Sequence, residues 1–238
     1  MQLHTEDGQL AQQIILITGA AQGIGASVAK ACANAGATVI LLDKQVPQLE
    51  SVYDEIVEQT GITPAIYPLD LKGATVDDYK QLAKTISDNF GRLDALVHCA
   101  ATLGQLAPVI NQDAKTWAET LHINLTAAYL LTQACLPLLK QQNSQLIFTT
   151  DIHKHTAYWG AYGISKAAIE AFAAQLQDEL EAEGKVSVST IDPGEVRTAL
   201  YARAYPARNP EHLNLPDDVA YQYIAKLQLE TNSPVSVD

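Results

Sequence analysis

The sequence predicts a single α/β domain over residues 1–238, with a doubly wound parallel sheet of six to seven strands and helices on both faces. Short apolar runs, several rich in β-branched residues, recur along the chain, and amphipathic segments of helical period separate them. Strands that alternate with helices at this pace imply right-handed crossovers, which build a parallel sheet. In such a sheet, ligands bind beyond the carboxyl ends of the strands.

The first strand and the first helix meet at a glycine-rich junction. Residues 14–17 are an apolar strand, and an alanine-rich helical stretch continues to Ala35. Glycines let the backbone turn tightly and let a pyrophosphate approach, while the helix N-terminus offers unpaired N–H groups. A tight turn alone is the alternative, but the strand-to-helix context favours a dinucleotide cradle. The residues assigned to this cradle are Gly19, Gln22, Gly23, Ile24 and Gly25.

The next two strands lead to acidic residues. Asp43 lies about 20 positions after the glycines, where a carboxylate can bind the adenosine ribose hydroxyls and would repel the extra phosphate of NADP. Lys44 offsets part of that repulsion, so NAD is favoured and NADP stays possible. A helix cap or a solvated loop is the alternative for Asp43. Asp70 and Leu71 follow the third strand, either beside the adenine or in a turn.

The remaining elements continue the alternation. Apolar residues at spacings of three and four indicate helices, and short apolar runs indicate strands. Gly36 and Gly91 stand where helices should end. Helices are predicted over residues 47–60, 76–90, 116–139, 159–182 and 221–229. Strands are predicted over residues 38–42, 63–69, 93–98, 145–151, 186–191 and 235–237.

Composition limits the classes of partner. The chain has 238 residues, 47% of them hydrophobic and 18% charged, and its formal net charge is −12. This charge argues against nucleic acid and against an anionic membrane surface. No apolar run reaches the length of about 20 residues that spans a bilayer. Three cysteines without metal spacing, and a polar start that resembles no targeting signal, favour the reducing cytoplasm.

A tyrosine and a lysine one helical turn apart form the candidate catalytic pair. Tyr162 and Lys166 open the helix after the fifth strand, so their side chains share one helix face. A lysine ammonium near a phenol favours the phenolate and lowers the pKa of the tyrosine. The pair can then exchange a proton with a carbonyl or alcohol oxygen near neutral pH. Such pairs usually lie on a surface, but the preceding dinucleotide cradle favours a catalytic role.

Several motifs together resemble the short-chain dehydrogenase/reductase family. They are Thr18-Gly19-x-x-x-Gly23-Ile24-Gly25, Asn124, Tyr162-x-x-x-Lys166 and Pro193-Gly194-x-x-x-Thr198, in order within residues 12–225. Residues 158–162 and 194–199 more narrowly resemble its bacterial YciK-like branch. The resemblance implies a Rossmann fold and hydride transfer between a nicotinamide cofactor and a small carbonyl or alcohol substrate. It also implies a homodimer or homotetramer.

The resemblance assigns roles to individual residues. Tyr162 would donate or accept the proton, Lys166 would hold the nicotinamide ribose, and Asn124 would support a water relay behind the lysine. Residues 199–216 would form a substrate lid, whose aromatic content suggests an apolar or ring-bearing substrate. The remaining cofactor contacts would be made by Cys99, Ala100, Pro193, Gly194, Val196 and Thr198.

Two positions depart from the family pattern. Cys99 stands where the family has an asparagine, so one hydrogen bond at the sheet end is lost. The catalytic serine of the family lies about 13 residues before the tyrosine, which corresponds to Thr149. We assign Thr149 to the catalytic set because its hydroxyl can bind a substrate oxygen. Alignment from the strand places Asp151 there instead, where a carboxylate would raise the tyrosine pKa; Thr150 lies between them, and the choice stays open.

Two functions are compatible with these residues. An NAD(P)-dependent oxidoreductase is favoured. The alternative is a dinucleotide-binding protein with lost or residual catalysis, acting as a sensor or interaction partner. No metal site is expected, because His153 and His155 have no partner ligands at useful spacing and are interpreted as a polar rim of the active site.

Overall fold

The structure, a computed structural model, describes residues 8–228. Its strands are β1 (Ile14–Thr18), β2 (Thr38–Asp43), β3 (Ala65–Pro68), β4 (Ala95–His98), β5 (Ser144–Thr149) and β6 (Val186–Ile191). All pair in parallel, in the order β3-β2-β1-β4-β5-β6. This is the strand order of the Rossmann fold, so the predicted doubly wound sheet is confirmed. The strand predicted over residues 235–237 lies outside the described residues.

Helices cover both faces of this sheet. They are α1 (Gly23–Asn34), α2 (Val46–Thr60), α3 (Val76–Phe90), α4 (Ala114–Leu121), α5 (Ala127–Leu139), α6 (Gly160–Glu181), α7 (Ala199–Ala204) and α8 (Pro216–Gln228). A π-helical turn (His122–Thr126) joins α4 to α5, so the helix predicted over residues 116–139 is interrupted at Asn124. Within residues 8–228, no helix is both long and apolar enough to cross a bilayer.

The last described helix begins earlier than its apolar pattern predicts. α8 starts at Pro216, whereas the prediction started at residue 221. Proline suits the first turn of a helix, because its missing N–H has no partner there, and acidic residues in that turn favour the helix dipole. Asp218 adds a cap by accepting the N–H of Leu215 at 2.8 Å.

Each strand contributes side chains to two cores. Ile15 and Ile17 of β1 lie in the core that α1, α2 and α8 cover. Leu16, between them, lies in the core that α3, α5 and α6 cover. Successive side chains of a strand point to opposite faces, and both faces of this sheet are buried. This explains why the inner strands β1, β2 and β4 are nearly continuous apolar runs, whereas β6, at the edge of the sheet, alternates valine and serine over residues 186–189.

The loops at the carboxyl edge of the sheet are tied to the end of β1. Thr18 Oγ1 accepts the N–H groups of Cys99 at 3.2 Å and Ala100 at 3.1 Å. The N–H of Ala20 donates to the carbonyl oxygen of Leu42 at 3.3 Å. These bonds fix the turns after β1 and β4 against each other, on the edge where a Rossmann sheet binds its ligands.

Candidate active site

A cleft of about 360 Å³ opens at the carboxyl edge of the sheet, over the strands β1 and β4. The residues predicted to contact a cofactor all border it: Gly19, Gln22, Gly23, Ile24, Gly25, Asp43, Asp70, Leu71, Cys99, Ala100, Lys166, Pro193, Gly194, Val196 and Thr198. Tyr162, Thr149 and Asp151 border the same cleft. Asn124 does not, although its neighbour Ile123 does. Segments far apart in the sequence therefore meet in one place.

The glycines leave the entrance of α1 open to a bound group. A Cβ on Gly25 would overlap the carbonyl oxygen of Gly19, and a Cβ on Gly19 would lie 2.8 Å from Ala100 Cα. Gly19 and Gly23 have φ angles of 69° and 58°, a region that favours glycine. Gln22, the residue before α1, makes no side-chain cap. These features fit a pyrophosphate, which binds backbone N–H groups at a helix N-terminus.

The adenosine end of the cleft contains the two predicted carboxylates. Asp43 ends β2, and its oxygens accept the N–H groups of Gln45 at 3.1 Å and Ala21 at 3.4 Å. Asp70 accepts the N–H of Lys72 at 3.1 Å, so it forms a turn as well as bordering the cleft. Both carboxylates are thus held by backbone groups.

Tyr162 is hydrogen-bonded to Asp151. Its hydroxyl donates to Asp151 Oδ2 over 2.7 Å, and the tyrosine is buried on the first turn of α6. Asp151 opens a 3₁₀ turn, in which its Oδ1 accepts the N–H of His153 at 2.8 Å. β5 therefore ends at Thr149, two residues earlier than predicted, because Asp151 already turns the chain.

The environment of Tyr162 raises its pKa, contrary to the expectation that Lys166 would lower it. Burial contributes most, since it disfavours the charged phenolate, and the carboxylate of Asp151 adds to the effect. Burial also lowers the pKa of Lys166, despite the nearby charge of Asp151. The Tyr162 side chain is therefore a neutral hydroxyl that can donate a proton, rather than a ready phenolate.

Lys166 lies beneath the tyrosine ring. Its Nζ donates to the carbonyl oxygen of Thr149 at 2.7 Å and lies 5.7 Å from the centroid of the Tyr162 ring. The lysine is buried yet borders the cleft, as the pairing on one helix face predicts. An ammonium in this position can reach a group bound in the cleft while it stays tied to β5.

Asn124 joins the helix of the catalytic pair to the loop after β4. Its Nδ2 donates to Ser165 Oγ at 3.1 Å and to the carbonyl oxygen of Thr102 at 2.9 Å. Its Oδ1 accepts the N–H of Thr102 at 2.8 Å. The π-helical turn brings this side chain inward, and such turns are frequent at functional sites. Asn124 thereby positions the residue that precedes Lys166.

Thr149, the residue assigned to the usual serine position, does not bind Tyr162. Its hydroxyl pairs with the Tyr223 hydroxyl at 2.9 Å and lies 3.5 Å from Cys99 Sγ. Successive side chains of a strand point to opposite faces, so the last residue of β5 turns toward α8. The side chain that meets the Tyr162 hydroxyl is Asp151, which corrects the choice of Thr149 on geometric grounds.

The comparisons with known proteins agree with this fold and cleft. The family model described as short chain dehydrogenase matches residues 13–209. The chain belongs to this family. An uncharacterized oxidoreductase of Escherichia coli, YciK, is 39% identical over 218 residues, which cover 90% of this chain and 86% of YciK. The predicted relationship to the YciK-like branch of the short-chain dehydrogenases is thus confirmed.

Two solved short-chain dehydrogenases match closely in structure. One, from Shigella flexneri and complexed with NADP, has a TM-score of 0.90 at 38% identity and covers 93% of both chains. The other, from Escherichia coli CFT073 and complexed with NADPH, has a TM-score of 0.89 at 39% identity and covers 92% of both chains. The chain is therefore an oxidoreductase of the short-chain dehydrogenase family, which favours an enzyme over a binding protein without catalysis.

In this short-chain dehydrogenase, a series of polar contacts connects Tyr162, through Asp151 and His153, to Tyr205 in the predicted lid. His153 Nδ1 lies 2.6 Å from Asp151 Oδ1, and His153 Nε2 lies 2.8 Å from the Tyr205 hydroxyl. The His153 ring stacks on Trp159 with centroids 3.8 Å apart. His153 therefore contacts an active-site carboxylate, and no group of metal-ligating side chains occurs within the described part of the chain.

Sequence reasoning missed several contacts that hold this site. Ser165 and Thr102 bind Asn124, and Tyr223 binds Thr149, yet none belongs to a motif. Ser165 stands between the two motif residues Tyr162 and Lys166, and this position is the one signal that could have indicated it. Tyr223 comes from α8, and no local pattern predicts which strand end that helix covers.

Proposed function

We propose that this short-chain dehydrogenase is an NADP-dependent oxidoreductase, with Tyr162 as the proton donor or acceptor. Bound in the cleft, the nicotinamide would give or take the hydride of a carbonyl or alcohol substrate. The observation that carries the proposal is that Tyr162, Lys166 and the glycine junction of α1 border one cleft. The tyrosine and the lysine are both in place, which favours the enzyme; the bond from Tyr162 to Asp151 is the one feature of the site that favours the alternative of a sensor without catalysis.

The chain's own residues would bind the dinucleotide at both ends of the cleft. The first N–H groups of α1 would hold the pyrophosphate, since the glycines keep side chains away from it. Lys166 would hold the nicotinamide ribose, while Asn124, through Ser165, keeps the helix of the lysine in place. Pro193, Gly194, Val196 and Thr198 border the cleft after β6, where the nicotinamide carboxamide would lie.

NADP rather than NAD is proposed, which replaces the expectation from Asp43. Two structural relatives are complexed with NADP or NADPH, and both are close to 40% identical to this chain. Asp43 already accepts two backbone N–H groups, which spread its negative charge. Lys44 borders the same end of the cleft, with its side chain 57% exposed and its Nζ 4.0 Å from Asp70 Oδ1. This distance is long for an ion pair, so the ammonium can turn to a 2′-phosphate.

A substitution at Tyr162 tests the proposal. Tyr162→Phe removes the proton donor and keeps the ring, so we expect kcat to fall by about 10²- to 10⁴-fold with NADPH affinity unchanged. The measurement is the oxidation of NADPH by a panel of cyclic ketones, together with a titration of NADPH. Equal turnover by the variant and the wild type would contradict the role of Tyr162. Binding of NADPH without turnover of any ketone or of the reverse alcohols would favour the sensor.

We also propose a homo-oligomer located in the cytoplasm. Members of the short-chain dehydrogenase family often assemble through the helices that carry the residues matching Asn124 and Tyr162. Here Tyr129 of α5 and Ile164 of α6 are 43% and 49% exposed, although both are large and apolar. Light scattering of the purified protein tests this assembly. The three cysteines are free thiols, as is usual in a reducing compartment.

A further inference from the structure

A carboxylate borders the place where the substrate oxygen must lie. Any oxygen that exchanges a proton with Tyr162 has to approach its hydroxyl, which lies 2.7 Å from Asp151 Oδ2. Asp151 is part of the cleft wall, and its side chain is 20% exposed. An ionised carboxylate accepts hydrogen bonds and donates none. A substrate group next to the reacting carbon therefore meets an acceptor with negative charge.

The carboxylate is held in one orientation and keeps bonding capacity. Oδ1 accepts the N–H of His153 at 2.8 Å and lies 2.6 Å from His153 Nδ1. Oδ2 receives the Tyr162 hydroxyl. A carboxylate has about four lone-pair positions. Among the bonds of residues 8–228, one position on Oδ2 thus stays available to a donor that enters the cleft.

Asp151 Oδ2 is the carboxylate oxygen next to the Tyr162 hydroxyl. Within residues 8–228, Asp151 forms its ion pair with His153, through Oδ1. Lys154 pairs with Glu170 at 2.6 Å, and Lys166 donates to the carbonyl oxygen of Thr149. A positive group on a substrate can therefore pair with Oδ2, whereas a negative group there would be repelled by it.

An aromatic cluster lies next to the cleft. Trp159 packs beside Tyr162 with ring centroids 5.5 Å apart, and it is buried with its ring stacked on His153. Leu200 and Tyr201 of this region border the cleft. Apolar and aromatic side chains line most small-molecule sites. This wall suits a cyclic substrate.

We propose that the substrate is a cyclic amino alcohol or the corresponding amino ketone, whose ammonium group, on the carbon next to the reacting carbon, binds Asp151 Oδ2. The proposal rests on the proposed oxidoreductase function and names its substrate class. In a vicinal amino alcohol the nitrogen and the oxygen lie side by side, so one molecule can reach Asp151 and Tyr162 together.

The ammonium would also prepare Tyr162 for the reaction. When the ammonium binds Asp151, it replaces the Tyr162 hydroxyl as the hydrogen-bond donor to the carboxylate. The hydroxyl can then turn to the substrate oxygen. In the reduction direction, the carbonyl carbon of the amino ketone would accept the hydride of the reduced nicotinamide, and the Tyr162 hydroxyl would give its proton to the carbonyl oxygen. The C=O double bond becomes a C–O single bond, the tyrosine regains a proton from water, and the ammonium keeps all its bonds.

A matched pair of alcohols tests this assignment. The probes are trans-2-aminocyclohexanol and trans-2-methylcyclohexanol, which differ by an ammonium in place of a methyl group. Each is titrated at neutral pH into protein saturated with NADPH, a reduced cofactor with which an alcohol cannot react. Calorimetry measures the binding of both, and NADPH is titrated first on its own. We expect the amino alcohol to bind about tenfold or more tightly than the methyl compound.

Two variants test whether Asp151 causes the preference for the amino alcohol. Asp151→Asn keeps the shape of the side chain and removes its charge, so the preference should fall to about twofold or less. Asp178→Asn on the exposed side of α6 removes the same charge from the protein and should keep the full preference. Oxidation of the amino alcohol by NADP, but not of the methyl compound, would be the matching result in turnover.

The outcomes separate the two proposals. Equal affinity of the wild type for both probes, tighter binding of the methyl compound, or binding of neither would overturn the substrate class while NADPH still binds. An unchanged preference in Asp151→Asn would overturn the role of Asp151. If the variant fails to fold, the wild-type comparison alone decides. Failure to bind NADPH would contradict the proposed function itself, and the substrate class with it.

Discussion

Single residues decide what the Tyr162 hydroxyl meets. The tyrosine and the lysine were predictable, because a spacing of four residues on one helix fixes their common face. The partner of Tyr162 was not predictable with the same means. Thr149 and Asp151 lie two residues apart, and the end of β5 determines which of them meets the Tyr162 hydroxyl. That end depends on the turn that Asp151 itself forms.

The bond between Thr149 and Tyr223 has a measurable consequence. Tyr223→Phe leaves the Thr149 hydroxyl without its 2.9 Å partner, in a buried position. We expect the free energy of unfolding to fall by about 1 kcal/mol. Chemical denaturation measures it, and Tyr221→Phe on the same helix, with a ring that is 55% exposed, is the control. Equal effects of the two substitutions would show that the hydroxyl pair does not stabilise the fold.

At the scale of an element, α1 and its junction were predictable in full. The apolar strand, the glycines and the alanine-rich helix follow directly in the sequence, and each requires only local structure. The π-helical turn between α4 and α5 was not predictable. One additional residue per turn changes the hydrophobic period too little to be read from apolar spacing, yet it turns Asn124 toward Ser165.

The junction makes a prediction of its own. Gly25→Ala places a methyl group against the carbonyl oxygen of Gly19, and backbone cannot move aside as a flexible side chain can. We expect a loss of about 1–3 kcal/mol in the free energy of unfolding, together with weaker dinucleotide binding. Gly73→Ala is the matched control, because a Cβ there meets no atom within 4 Å. Similar stabilities of both variants would contradict the close packing of the junction.

For the molecule as a whole, the type of sheet was predictable. Alternation of strands and helices predicts a doubly wound sheet, and the carboxyl edge then collects Thr18, Asp43, Asp70 and the turn after β4. The alternation does not predict which side chains of the sheet contact the helices that cover it. His98 is an example, since its ring stacks on Phe148 at 4.8 Å and binds Thr132 at 2.9 Å, away from the cleft.

This buried histidine makes the free energy of unfolding depend on pH. Burial, with a smaller effect of Lys166, lowers the pKa of His98 from 6.5 to about 3. Below pH 6.5 the unfolded chain binds a proton there and the folded chain does not, so stability falls as the pH falls toward 3. The contribution of one such group is about 1.4 kcal/mol per pH unit.

Substitution isolates that contribution. His98→Gln cannot titrate in this range, so the free energy of unfolding should fall less steeply between pH 6.5 and pH 4 than in the wild type. Denaturation at several pH values measures the slope. His155→Gln, at an exposed position, is the control for the loss of a histidine. Equal slopes for the wild type and His98→Gln would show that His98 is protonated in the folded protein.

The proposed function requires that a nicotinamide dinucleotide binds in the cleft beside Tyr162. Calorimetric titration of the wild-type protein with NADPH and with NADH measures this binding, with Lys44→Gln as the comparison. We expect one dinucleotide per chain, tighter binding of NADPH than of NADH, and a loss of about tenfold for NADPH alone in the variant. If neither dinucleotide binds, the chain is not a nicotinamide-dependent oxidoreductase.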